Sequence, residues 1–159
     1  MFKRIMVPLD GSRESTRALK LAGGLARAYG AEVLLLRVVP PHPVSISSVT
    51  PESVGGPVAT ELALESARLK ERKDAAAAGR YLQAKLRQLR AKGIKADRRV
   101  LVGLPGQSII RAARNEGVDL IVMTSRGRGG FKRAILGSTS DEVVRKAGVP
   151  VLVVPQKKR

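Results

Sequence analysis

Apolar and polar positions alternate between two rhythms along the 159 residues of the chain. Five short runs are apolar on consecutive positions: Ile5-Met6-Val7, 33–39, Val100-Leu101-Val102, 120–123 and 151–154. Strands that are apolar on both faces belong to a parallel sheet covered by helices on both sides. Between these runs the period changes to three and four. Ala18, Leu21, Ala22, Leu25, Ala26 and Tyr29 form the stripe of an amphipathic helix, with Ser12 placed to cap its start and Gly30 to end it.

A second helix is predicted over 60–92, with a break near Gly79. Tyr81, Leu82, Leu86 and Leu89 lie on one stripe, and Gly93 ends it. A third begins near Pro105, a favoured first-turn residue, and carries Ile109, Ile110 and Ala113. A fourth starts at Ser138, with Asp141 as a capping-box-like partner, and carries Val143, Val144 and Ala147 before Gly148. Five strands and four helices in this order predict an α/β fold with an open doubly wound sheet built from right-handed crossovers. Residues 40–59 are rich in Pro, Ser and Gly without a period, and read as a long flexible loop at the carboxyl edge of that sheet. That edge is where doubly wound folds bind ligands. The chain is short enough for one domain, read as 1–155 with a basic tail at 156–159.

Composition narrows the chemistry. The absence of Cys excludes a disulfide scaffold, a thiolate metal site and a thiol nucleophile. A single His, His42, leaves no multi-His metal site, and without identifiable partners it reads as an exposed loop residue. No apolar run approaches the roughly 18 residues of a membrane span, and the first twelve residues read as a strand rather than a signal peptide, so the expectation is a cytoplasmic protein. Thirty Lys and Arg against 13 Asp and Glu give a formal net charge of +17. The charge is lopsided: 12 basic and 8 acidic residues in 1–80, 18 and 5 in 81–159. Such a half-chain fits nucleic acid, an anionic membrane or a phosphorylated ligand. Only four aromatic residues are available for stacking on single strands, which weakens the nucleic-acid reading.

Two segments carry the candidate chemistry. Val7-Pro8-Leu9-Asp10-Gly11-Ser12 leaves the first strand, with Asp10 at the switch-point crevice if that strand is central. There a carboxylate can accept from a ribose; it can equally serve only the turn. The second segment, 123–140, leaves strand four through a loop containing Arg126, Gly127, Arg128, Gly129, Gly130, Lys132 and Arg133, and ends in Gly137-Ser138-Thr139-Ser140 at a helix start. Glycines admit close backbone approach, and first-turn amides favour an anion. The spacing is not a Walker loop, and a dinucleotide fingerprint belongs after the first strand. Gly103-Leu104-Pro105-Gly106 reads as a structural strand-to-helix turn.

With these residues the chain resembles the universal stress protein family over nearly its whole length. The resemblance rests on 7–12, 103–105, 112–123 and 124–155. The nucleotide-binding branch carries G-x2-G-x9-G-[ST]; here Gly127, Gly137 and Ser138 match, while Thr124 stands at the first glycine position. A register on Gly127 and Gly130 fails, since Ser140 stands at the third glycine. The resemblance implies a Rossmann-like, adenine nucleotide alpha hydrolase-like sheet of order 3-2-1-4-5, with ATP at the carboxyl edge between strands one and four. It implies Pro8, Asp10 and Val38 on the adenine and ribose side, continued by Met123, Thr124, Arg126 and Gly127. Gly137, Ser138, Thr139 and Ser140 would hold phosphates, with Mg2+ carried by those phosphates. It also implies a homodimer through the last strand, 149–155. No general base stands in the motif, so the expected role is regulatory binding, with at most slow hydrolysis. A family member that has lost ATP and works as a dimeric interaction module is the alternative, motivated by Thr124, and nonspecific nucleic-acid binding ranks third.

Overall fold

The computed structural model describes residues 1–43, 56–125 and 136–155. In chain order the elements are β1 (Arg4–Pro8), α1 (Arg13–Tyr29), β2 (Glu32–Val39), α2 (Gly56–Arg90), β3 (Ala96–Val102), α3 (Pro105–Asn115), β4 (Leu120–Thr124), α4 (Ser138–Lys146) and β5 (Val151–Val154). The five strands form one parallel sheet in the order β3-β2-β1-β4-β5, as the apolar runs and the resemblance lead one to expect.

Strand alternation sorts the core into two layers. Ile5, Val7, Val33, Leu35, Leu120 and Val122 face α1 and α2, where Ala18, Leu19, Ala22, Leu82, Leu86 and Leu89 meet them. Met6, Leu34, Leu36, Ile121 and Met123 face α3 and α4, against Ile109, Ile110, Ala113 and Val143. Both faces are dry, which is why the strands read as continuous apolar runs rather than alternating ones.

Three helix expectations need correction. In α1 the buried stripe takes in Leu19 and Gly23, while Leu21 and Tyr29 are exposed. Gly23 packs beneath Leu89 and Ile94; a Cβ there would sit 3.4 Å from each. The second helix starts at Gly56, inside the expected loop, and runs unbroken through Gly79 to Arg90. Proline is tolerated in a first turn, so Pro57 does not delay the start. One interior glycine costs about 1 kcal/mol, too little to interrupt a helix of 35 residues. The rest of the expected loop, 44–55, and the tail at 156–159 lie outside the described residues. Finally, Gly137 rather than Ser138 occupies the cap of α4, and Asp141 pairs with Arg145 at 3.0 Å instead of reaching back.

At 35 residues α2 is about 52 Å long, twice the roughly 26 Å of β2. Its second half supplies Ala78, Leu82, Leu86 and Leu89 to the core. Between residues 60 and 74 only Ala67 is buried, and Leu62 and Leu69 are exposed. That half stands beyond the carboxyl edge of the sheet.

Candidate functional site

β1 lies at the centre of the sheet, between β2 and β4, and the chain leaves it toward α1 on one side and leaves β4 toward α4 on the other. This is the switch point. The β1–β4 ladder pairs Ile5 with Leu120 and Met6 with Ile121, and both strands continue past it. Pro8, Val38 and Met123 share the α3/α4 face by alternation with Met6, Leu36 and Ile121. Thr124 falls on the opposite face, in phase with Leu120 and Val122.

Asp10 follows immediately. Its Oδ1 accepts from the Ser12 amide at 3.0 Å and the Ser12 hydroxyl at 2.6 Å. The Ser12 oxygen in turn accepts from the Ser15 amide at 3.1 Å, the N-cap of α1, and the Ser15 hydroxyl donates to the Ser12 carbonyl. Burial alone would raise the Asp10 carboxyl, but the bonds from Ser12, with Ser15 behind it, outweigh it and hold the group below the usual carboxylate range. Asp10 is therefore an anion. Its second oxygen, Oδ2, is buried and has no hydrogen-bond partner among the described residues. Buried polar atoms are rarely left so. Gly11 beside it has φ 82°, and a Cβ there would stand 3.0 Å from the Arg37 guanidinium.

Arg37 donates to the Leu9 carbonyl at 3.1 Å and so braces the loop that carries Asp10. It also lines a cavity of about 470 Å3 with Gly11, Val38, Val39, Asp74 and Tyr81, on the α2 side of the edge. Among the described residues, Val38 alone of the expected site residues lines that cavity. Sequence reasoning passed over Arg37, although a charge inside an otherwise apolar strand was its visible signal. It also left His42 without partners, whereas the ring Nε2 meets Asp74 Oδ2 at 2.7 Å and the His42 amide donates to Glu71, pinning the exit of β2 to α2.

Across the crevice, α4 is docked on the end of β4. The buried Ser140 hydroxyl donates to the Thr124 carbonyl at 2.9 Å, and the Gly137 amide donates to the Ser125 carbonyl at 2.7 Å. The first intrahelical bond joins the Asp141 amide to the Gly137 carbonyl, so the amides of Ser138, Thr139 and Ser140 precede it. Ser138 is exposed and Thr139 half-buried, with their hydroxyls at the open end of the helix. The remaining expected residues, Arg126 and Gly127, lie outside the described residues. Gly103 belongs to the support: its amide donates to the Val39 carbonyl at 3.0 Å, and its φ is 154°.

A family model described as the universal stress protein family matches residues 1–155. The chain belongs to the universal stress protein family. Among its relatives, universal stress protein MJ0531 of Methanocaldococcus jannaschii is 33% identical over 160 residues, covering 100% of this chain and 85% of the relative. A universal stress protein of Thermus aquaticus is 34% identical over 155 residues, 97% of this chain and 99% of its own length. The solved structure of MJ0577 superposes with a TM-score of 0.83 at 28% identity, covering 100% of this chain and 99% of that one. Universal stress protein UspA from Lactobacillus plantarum follows the same path, with a TM-score of 0.73 at 25% identity over 96% and 97%. The universal stress protein sheet order and its Rossmann-like layering are those described above. Among the described residues no helix is long and apolar enough to cross a membrane.

Proposed function

We propose that this universal stress protein, as one domain over 1–155, binds ATP or a closely related adenine nucleotide at the carboxyl edge between β1 and β4. The observation that carries the reading is the anionic Asp10, whose buried Oδ2 has no partner among the described residues. A ribose hydroxyl or an adenine amino group is a neutral donor of the kind that oxygen needs, whereas a phosphate there would be repelled. The phosphates belong instead at the other wall, on the first-turn amides of α4 with the Ser138 and Thr139 hydroxyls. Pro8, Val38, Met123 and Thr124 border the base and sugar in this reading, the side that the family resemblance continues through Arg126 and Gly127. Ser140 acts by position, since its proton is committed to the Thr124 carbonyl. Mg2+ arrives on the phosphates.

The fold accommodates such ligands elsewhere. A universal stress protein has been solved in complex with cAMP (TM-score 0.59, 23% identity), and an Arabidopsis thaliana family protein with AMP bound (TM-score 0.61, 19% identity). At that distance they speak for the fold, and the reading rests on the residues of this chain.

The protein then works as a nucleotide-dependent regulator in the cytoplasm. Its β5 edge supports pairing with a second copy: among the described residues the strand is bonded only to β4, and Leu152 and Val144 are exposed. Isothermal titration of the purified protein with Mg-ATP tests the site. Saturable heat, lost in Asp10→Ala, is expected; absence of heat, with no nucleotide released on denaturation, overturns the proposal and leaves the dimeric interaction module.

A further inference from the structure

Residues 66–95 hold ten Lys and Arg but only two acids, Glu71 and Asp74. Both acids turn to His42 at the exit of β2. The cations do not follow them. Lys73, Arg80 and Arg87 stand seven residues apart, so they fall on one line along α2, about 10 Å between neighbours. All three are exposed, and none has an ion-pair or hydrogen-bond partner among the described residues.

Two further arginines are set on the β3 flank of this line by neutral acceptors. Arg90 donates through Nε and Nη2 to the Ala96 carbonyl, the shorter bond being 2.9 Å. Arg98, from β3, donates to Gln83 Oε1 at 2.8 Å, and its Nη1 lies 3.6 Å from where a Cβ of Gly79 would be. Gly79, which breaks no helix, thus packs beside an arginine from the neighbouring strand. Guanidinium groups held by a carbonyl and an amide oxygen keep their full charge, where an acid would have cancelled it.

We infer that this ridge, Lys73, Arg80, Arg87, Arg90 and Arg98, binds the phosphate backbone of double-stranded nucleic acid without reading its sequence. From Lys73 to Arg90 the ridge spans about 26 Å, the length of seven to eight base pairs of duplex at about 3.4 Å each. A straight row of point contacts along one helix line suits a duplex. A single strand needs stacking rings, and the ridge has none: Tyr81 is half-buried with Lys85 over its ring, and Phe2 pairs edge-on with Tyr29. The surface is separate from the β1–β4 crevice, so it stands or falls independently of nucleotide binding.

The test compares two triple variants of the full chain by fluorescence anisotropy on a duplex of about 20 base pairs, at 50 and 200 mM salt. One is Lys73→Gln, Arg80→Gln, Arg87→Gln. The other, Arg13→Gln, Lys20→Gln, Arg27→Gln, removes the same charge at the same spacing from exposed positions of α1. Circular dichroism and Tm establish that both fold. Wild type is expected to lose about 10²–10³ in affinity between the two salts, as five phosphate contacts require. The α2 variant should bind at least tenfold more weakly at 50 mM, with a visibly shallower salt slope, while the α1 variant stays near wild type. Equal losses in both variants, or no binding at 50 mM, would overturn the inference. So would failure on the duplex together with α2-dependent binding to phosphatidylserine vesicles, which would make the ridge a membrane contact.

Discussion

The Ser140 hydroxyl donates to the Thr124 carbonyl across 2.9 Å of buried space, joining the first turn of α4 to the last residue of β4. The two are 16 positions apart in sequence. Ser140→Ala removes this bond to a buried carbonyl, which costs about 0.5–1.5 kcal/mol. The expected outcome is a lower Tm in thermal denaturation and weaker Mg-ATP binding, because the amides of α4 lose their anchor. Loss of binding with unchanged Tm would instead mean that Ser140 touches the ligand itself.

Asp10→Asn keeps an acceptor for the Ser12 amide but removes the charge. Mg-ATP affinity should fall about tenfold or more, as expected for losing a hydrogen bond to a charged group. The pH dependence of stability follows from the depressed carboxyl. Since the folded pKa is below the unfolded value of about 3.9, Asp10 contributes its full stabilisation above that value. The contribution disappears as pH falls through the lower folded pKa. Denaturant titrations from neutral pH down to about pH 2 should show a shallower acid loss for Asp10→Asn than for wild type.

Thr124→Gly restores the glycine of the family motif. The Thr124 side chain points to the α1/α2 face, opposite Met123, so removing it should change nucleotide affinity less than about threefold. Stability should drop, because glycine weakens a strand. A gain of tenfold or more in calorimetry would show instead that Thr124 obstructs the pocket.

Gly103→Ala should be among the more damaging small substitutions outside the site. The residue sits at φ 154°, and a Cβ would meet the Ser108 hydroxyl at 2.7 Å. Strain of this kind costs about 1–3 kcal/mol. Chemical denaturation is the measurement, and a variant as stable as wild type would contradict the geometry.

The fold was legible because the central strands β1, β2 and β4 are buried on both faces, so 33–39 and 120–123 announce themselves as apolar runs, and because Gly30 and Gly93 end their helices with positive φ. The start of α2 was not, since Gly56 and Pro57 belong equally to turns and to helix first turns. At the candidate site, Asp10 and the 137–140 cap stood out by residue type and spacing. Arg37 did not, because its service to the Leu9 carbonyl depends on β1 and β2 lying side by side, 28 residues apart. The role of Ser140 was hidden for the same reason. A serine at a helix start reads as a ligand donor until the neighbouring strand end is placed against it.

The overhang of α2 divides one helix into two regimes of local opening. Its second half opens only when the sheet lets go, because Leu82, Leu86 and Leu89 are sealed in the core. Its first half, with Ala67 alone buried between 60 and 74, has little apolar area to lose. Native-state hydrogen exchange should therefore find amides 60–74 exchanging through sub-global openings, well before those of 78–89, which report global unfolding. The bonds from His42 to Asp74 and Glu71 resist that opening near the junction. The first half of α2 is in this sense a hinged arm beyond the carboxyl edge of the sheet, expected to open while the sheet beneath it stays intact.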